Sequence, residues 1–270
     1  MLVIFTDLDG SLLNHEDYSY KDALPSLEKI KKLQIPLVFT TSKTRPEVEL
    51  LQKEIGIKEP FIVENGAAVF FPEGYRGFDL SRLEKINGYR TIILGEKYEK
   101  LRSFIEKHRE KYEIKGFGDM SVEEVAQLTD LPLEKAELAK KREFTEPFVI
   151  KDPDLIPLLE KEAEKEGLKI TKGGRFFHLI GKNQDKGRAV ELTADIFRQN
   201  TGNIKTIGIG DSKNDIPMLQ VVDIPVLIPK FNNEYEKIDL PGLIRAPFPG
   251  SRGWNLVVGR LIDEFETDGS

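Results

Sequence analysis

The stretch Leu2-Val3-Ile4-Phe5-Thr6-Asp7-Leu8-Asp9-Gly10-Ser11-Leu12-Leu13 decides how the rest of the chain reads. An apolar run ends in two carboxylates, Asp7 and Asp9, and side chains at i and i+2 of a strand point the same way. Such a pair suits a nucleophile beside a proton donor. Gly10 lets the chain leave the strand abruptly, which exposes backbone amides and leaves room for an anion. Taken alone, the string also fits a plain strand closed by an Asp/Gly turn. The segments that share its sheet edge must therefore decide.

Outward from it, the pattern is βαβα: a strand at 2–6, a helix at 22–33, a buried strand at Pro36-Leu37-Val38-Phe39-Thr40 and a helix at 45–55. Phe61-Ile62-Val63, the turn dipeptide Asn65-Gly66 and Ala67-Ala68-Val69-Phe70-Phe71 read as a β-hairpin. From about 82 to 180 a mixed unit follows: strands at 89–94, 147–150, 168–171 and 176–180, and helices at 97–111, 121–128, 132–141 and 153–166. His108 shares a helical face with Leu101, Phe104, Ile105 and Tyr112 and reads as a packed histidine. Ser121 with Glu124 spells a capping box, Asp152-Pro153 a cap followed by Pro at the first helical position, and Gly173-Gly174 a tight hairpin turn. Alternation then resumes with a helix at 187–200, a strand at 206–209, a helix at 214–220, a strand at 223–228 and a last helix at 254–265, packed through Trp254; the tail from Glu266 is expected to fray. Parallel strands joined by helices imply an α/β, doubly wound, mainly parallel sheet, with ligands bound beyond the carboxyl ends of its strands. Asp7, Thr41 and Asp211 each follow a strand, so one edge gathers all three. The expected division is a core of residues 1–81 and 183–270 around an inserted α+β cap of residues 82–182.

Composition narrows the partners. With 270 residues the chain is long enough for two modest domains. A net charge of −6 argues against a generally basic nucleic-acid surface and for small-molecule partners. There is no cysteine, which excludes disulfides and thiolate chemistry, and no run approaches a membrane span of ~18 apolar residues. The first residues enter a strand directly, and the expected location is the cytoplasm. Charged residues make up 32 %, compatible with ion-pair networks in a heat-adapted protein and equally with ordinary solvated helix faces.

Four strings recur in order: Asp7-x-Asp9-Gly10-Ser11; Phe39-Thr40-Thr41-Ser42; Lys186-Gly187 opening a helix; and Gly210-Asp211-Ser212-Lys213-Asn214-Asp215 after a strand. In this the chain resembles the haloacid dehalogenase superfamily of phosphohydrolases. The insert between Glu64-Asn65-Gly66 and Lys186-Gly187 looks like that superfamily's type C2 cap. The resemblance implies that Asp7 is the nucleophile and Asp9 the acid/base of phosphoryl transfer through an aspartyl-phosphate. A phosphate beside several carboxylates needs a hard cation, and oxygen donors suit Mg²⁺. Asp7, the backbone carbonyl of Asp9, and Asp211 are the expected ligands, with Asp215 binding directly or through a water and Asn214 orienting Asp211 or the phosphate. Lys186 and Thr41 are expected at the phosphoryl oxygens. Lys182 and Lys43 compete with Lys186, which is preferred because it directly precedes Gly at a helix start. Ser11 replaces the family's usual Thr and keeps a hydroxyl.

Further strings, Arg142-Glu143-Phe144-Thr145-Glu146-Pro147-Phe148, Gly173-Gly174-Arg175-Phe176-Phe177-His178-Leu179, Thr41-Ser42-Lys43-Thr44-Arg45 and Gly253-Trp254-Asn255, are similar to those of the mannosyl-3-phosphoglycerate phosphatase family. That resemblance implies a mannosyl- or glucosyl-3-phosphoglycerate substrate, converted to a glycosylglycerate in compatible-solute synthesis by a monomer or homodimer. Its carboxylate calls for a guanidinium fork and its sugar for hydrogen-bonding side chains. Arg142 or Arg175 is the expected fork, Glu143 and Glu146 the acceptors, and His178 a further donor or acceptor. Ser42, Lys43, Ser251, Arg252 and Asn255 are expected to line the core side. The alternatives are another sugar-phosphate phosphatase or a hexose-phosphate mutase on the same fold, or a non-catalytic phosphosugar sensor.

Overall fold

The computed structural model describes residues 1–172 and 175–268. Gly173-Gly174 and the last two residues of the expected frayed tail lie outside them.

One nine-stranded sheet carries the core. Its strands are β1 (Leu2–Thr6), β2 (Leu37–Thr40), β3 (Phe61–Val63), β4 (Ala68–Pro72), β5 (Glu84–Ile86), β6 (Tyr89–Ile93), β11 (Lys205–Gly210), β12 (Ile224–Leu227) and β13 (Ile244–Arg245), in the order β13-β12-β11-β1-β2-β3-β4-β6-β5. Pairing is parallel from β13 to β3 and antiparallel beyond. Every residue of β1 is buried, as a central parallel strand covered on both faces requires.

Helices α1 (Leu24–Leu33), α2 (Arg45–Ile55) and α9 (Gly250–Asp268) cover one face; there Leu27, Val48, Trp254 and Val258 pack on Ile4, Phe39 and Ile207. Helices α7 (Lys186–Thr201) and α8 (Ile216–Val221) cover the other, where Val190, Phe197 and Met218 pack on Val3, Phe5 and Val38.

A separate four-stranded antiparallel sheet forms the smaller unit: β7 (Ile114–Gly116), β8 (Glu146–Ile150), β9 (Leu168–Lys172) and β10 (Phe177–Gly181), in the order β7-β8-β10-β9. Helices α3 (Tyr98–Tyr112) and α6 (Ile156–Lys165) bury Phe104, Ile105 and Leu159 against one side of it. The short α4 (Val122–Thr129) and α5 (Leu133–Ala139) pack with Phe117, Val149 and Phe176 on the other.

Several elements differ from the sequence reading. The strand expected at 89–94 within the insert pairs with β4 in the core sheet, because Val69, Phe70 and Phe71 offer it a hydrogen-bonding edge. The last helix begins at Gly250 rather than 254, and it continues through Asp268 instead of fraying from Glu266. Asp152 does cap a helix, but the turn it caps, Pro153–Leu155, is 3₁₀ and leads into α6.

Candidate active site

The register aligns the strand ends. Thr6 of β1 stands beside Ile209 of β11 and Phe39 of β2, so the residues that follow, Asp7, Thr41 and Asp211, emerge at one carboxyl edge. The Asp7 N–H still donates to the Ile209 carbonyl at 2.8 Å, which fixes the carboxylate at the strand end. Behind it, the Thr6 hydroxyl donates to the Asp7 carbonyl at 2.8 Å and accepts from the Trp254 indole N–H at 2.9 Å. Gly10, at φ +81, lets the chain turn beneath Asp211; a side-chain carbon there would lie 2.7 Å from Asp211 Oδ2.

Lys186, the first residue of α7 and almost wholly buried, joins two of the carboxylates. Its Nζ donates at 2.6 Å to Asp7 Oδ1 and at 2.6 Å to Asp215 Oδ1. The remaining oxygen of Asp215 accepts from the Asp211 and Ser212 N–H groups, each at 3.1 Å. Asn214 donates to Asn65 Oδ1 at 3.1 Å, which ties this loop to the β3–β4 turn. Asp7, Lys186, Asp211 and Asp215, far apart in the chain, thus converge, from two strand ends and a helix start, on one anionic spot.

That spot carries more negative than positive charge. Oxygens of Asp7, Asp211 and Asp215 lie within 4.8 Å of one another, and Asp211 Oδ1 is buried with no hydrogen-bond partner among the described residues. Burial and then repulsion from Asp215 raise Asp7 to about 7, against the pull of Lys186. Burial, Asp215 and Asp7 raise Asp211 to about 8. Burial disfavours the charge on Lys186, but Asp215 and Asp7 outweigh it and hold the pKa above the ordinary lysine value. Buried hard oxygen donors, one of them unpartnered, meet the requirements of a divalent cation.

Thr41 is buried, and its Oγ1 accepts from the Lys43 N–H at 3.1 Å. Lys43 turns its ammonium to Asp9, 2.9 Å from Oδ1, with the Tyr18 ring 5.2 Å away. The loop ends in Thr44, which caps α2 in a box with Glu47 and donates its hydroxyl to the Leu138 carbonyl of the smaller unit at 3.0 Å. Next to Lys43, a small cleft of about 50 Å³ lies between Tyr18, Glu47 and Leu13 on one side and Leu131, Lys135 and Leu138 on the other.

The residues expected around the substrate are placed unequally. Arg142 reaches the loop after β2: it donates to the Ser42 carbonyl at 2.7 Å and to the Ala139 carbonyl at 2.8 Å. His178 is buried, its Nδ1 lacks a partner among the described residues, and burial followed by the Arg142 charge lowers its pKa to about 3. Glu143 pairs with Arg45 at 2.9 Å. Glu146 is enclosed within the smaller unit by Arg102 at 2.7 Å, the Tyr98 hydroxyl at 2.6 Å and the Gly118 N–H at 2.9 Å. Arg175 is exposed and pairs with Asp130. Ser251 is buried and donates its hydroxyl to Asn14 at 2.8 Å, Asn255 accepts from the Ser26 N–H at 3.0 Å, and exposed Arg252 lies over the Phe248 ring. Two neighbours of the site escaped the sequence reading. Tyr18 carries no motif, and Glu64 stood only as the residue before a turn dipeptide.

A Rossmann-like sheet with two carboxylates after its first strand, a lysine at a helix start and an acidic loop after β11 defines a class of phosphoryl-transfer hydrolase. The chain belongs to the haloacid dehalogenase-like hydrolases, whose family model matches residues 4–238. Within that family it is closely related to enzymes acting on glycosyl phosphoglycerates. It is 64 % identical, over 98 % of both chains, to the glucosyl-3-phosphoglycerate/mannosyl-3-phosphoglycerate phosphatase of Persephonella marina. It is 35 % identical to the mannosyl-3-phosphoglycerate phosphatase of Pyrococcus furiosus, over 86 % of this chain and 93 % of the other. A solved Thermoplasma acidophilum protein shares the fold at a TM-score of 0.69 and 20 % identity, covering 96 % of each chain.

Proposed function

We propose that this chain is an Mg²⁺-dependent phosphatase that removes the phosphate of glucosyl- and mannosyl-3-phosphoglycerate. The observation that carries the reading is the buried cluster in which Lys186 joins Asp7 to Asp215 beside the unpartnered oxygen of Asp211. Close relationship to phosphatases with those named substrates supports the choice of leaving group.

An Asp7 oxygen attacks phosphorus, the bond from phosphorus to the glycerate oxygen breaks, and Asp9 gives that oxygen its proton. Asp9 then takes a proton from water, whose oxygen attacks phosphorus and releases Asp7 and inorganic phosphate. Lys186 and Thr41 bind the equatorial oxygens, where charge concentrates during transfer. The carboxylates of Asp7, Asp211 and Asp215 and the Asp9 carbonyl would hold Mg²⁺, which when bound neutralises phosphate and carboxylate charge. Lys43 fixes the Asp9 carboxyl group. We take the cap to begin after β6 and end before α7. Of the expected contacts from the cap, Arg142 donates to the Ser42 carbonyl of the loop after β2 and serves as the reader of the glycerate carboxylate, with His178 buried within reach of its charge. Arg175 and Glu146, engaged elsewhere, are not assigned to it.

Phosphate release from mannosyl- and glucosyl-3-phosphoglycerate, mannose 6-phosphate and sucrose 6-phosphate, with and without Mg²⁺, tests the reading. The first two should be hydrolysed, in Mg²⁺ only, and the others poorly. Equal rates across the panel would refute the substrate assignment.

A further inference from the structure

We propose that Glu64 is a positioning residue that latches the cap turn 143–145 onto the phosphate-binding edge of the core. Glu64 is completely buried at the end of β3 and sits at φ +49, a conformation that side-chain-bearing residues adopt at a cost. Such a residue persists only where the surroundings over-determine it. Here the surroundings come from both units.

Its carboxylate accepts three hydrogen bonds, all from one short cap segment: the Glu143 N–H at 2.9 Å, the Phe144 N–H at 3.2 Å and the Thr145 hydroxyl at 2.7 Å. Burial pushes the Glu64 carboxyl above its ordinary range, while the Arg142 charge and these three donors favour its ionised form, and two of the donors are backbone groups with no other acceptor among the described residues. The backbone of Glu64 meanwhile belongs to the core. Its N–H donates to the Lys43 carbonyl at 3.0 Å, and its carbonyl accepts from Gln184 at 3.0 Å, in the segment that leads to Lys186. Asn65 follows with its N–H on the Thr41 carbonyl at 2.9 Å and its side chain on Asn214. Gly66 then presses against the Asp185 carbonyl, where a side-chain carbon would stand at 2.1 Å.

One residue therefore touches the loop of Thr41 and Lys43, the approach to Lys186, and the cap turn that follows Arg142. None of its atoms is needed for phosphoryl transfer. Its consequence falls on whatever the cap reads, so it rests on the assignment of a glycosyl phosphoglycerate held between cap and core. A small aryl phosphate, which places little beyond the phosphate in the cleft, should be insensitive to it.

The test uses the full chain and two substrates, glucosyl-3-phosphoglycerate and p-nitrophenyl phosphate, with hydrogen exchange at the Glu143 and Phe144 amides as an independent readout. Glu64→Ala should lower kcat/KM for the glycosyl substrate by roughly 30-fold or more and for the aryl phosphate by less than about 3-fold, since misplacement far from the chemistry costs orientation. The two amides should exchange faster. Thr145→Val, which removes one donor and leaves the core untouched, should move both readouts the same way by less, and it carries the test if Glu64→Ala does not fold. Equal losses on both substrates, or unchanged exchange at 143 and 144, would overturn the latch. If the wild type hydrolyses no glycosyl phosphoglycerate, the substrate assignment fails, and the exchange data still decide the latch.

Discussion

Both units of this molecule bury carboxylates, and they treat them in opposite ways. In the cap, every oxygen of Glu146 meets a donor, and Arg102 bridges it to Asp119 at 3.2 Å and closer. In the core, Asp7, Asp211 and Asp215 share one lysine between two of them, and an oxygen of Asp211 has no partner among the described residues. A closed network holds a structure together, whereas an open one waits for charge from outside. The difference separates a carboxylate that the fold satisfies from one it leaves open, which residue type alone cannot do.

The largest effect that can break this contrast is on Asp7. Asp7→Asn removes the proposed nucleophile and should reduce phosphate release by about 10⁴-fold or more, on glycosyl and aryl phosphates alike. Because it also removes one of three mutually repelling carboxylates, the variant should melt no lower than wild type in metal-free buffer. Appreciable turnover, measured as phosphate release over hours, would sink the covalent mechanism. Glu146→Gln is the mirror image. Leaving Arg102 partly unpaired in the cap should cost about 3 kcal/mol in urea unfolding, with turnover of p-nitrophenyl phosphate unchanged at 25 °C. A catalytic loss without a stability loss would place Glu146 in the site after all.

The strand ends were legible from the residues themselves. An apolar run closed by Asp7-x-Asp9-Gly10 and another closed by Gly210-Asp211 state both the strand and its exit, and sheet register then brings them together. The β3–β4 hairpin was equally plain from Asn65-Gly66, both of which adopt positive φ. What stayed hidden was partnership. Ile114-Lys115-Gly116 and Ile244-Arg245 are too short to signal strands, and nothing in residues 89–93 says which sheet they will join. Gly250 and Gly253 disguised the first turn of α9, although Gly253 lies so close to the Phe248 carbonyl that no larger residue fits. Glu146 looked like a sugar ligand because its guanidinium lies far back in the chain, at Arg102, and Glu64 went unnoticed because burial of a carboxylate leaves no mark in sequence.

Lys43 sharpens the comparison at a smaller scale, since its ammonium is aimed at Asp9 whereas that of Lys186 is aimed at the carboxylate cluster. If it acts through Asp9, Lys43→Met should lower kcat by roughly 10- to 100-fold on both glycosyl and aryl phosphates while KM stays nearly constant, as for loss of one group supporting acid–base transfer. A loss confined to KM for the glycosyl substrate would instead make it a reader of the glycerate carboxylate. Steady-state kinetics on the two substrates separate these outcomes.

The smallest expected effect concerns His178, where the cap buries a group that must stay uncharged. Burial and the neighbouring Arg142 bring it from 6.5 down to about 3, so between those values the unfolded chain binds a proton that the folded one refuses. The neutral imidazole's contribution is therefore complete above pH 6.5 and is lost progressively as pH falls toward 3. Urea midpoints measured from pH 7.5 to 4 should therefore drop less steeply in His178→Gln than in wild type, with the two curves parallel above pH 7. Identical slopes throughout would mean that the imidazole takes up its proton in the folded cap, and that Arg142 is free to move away from it.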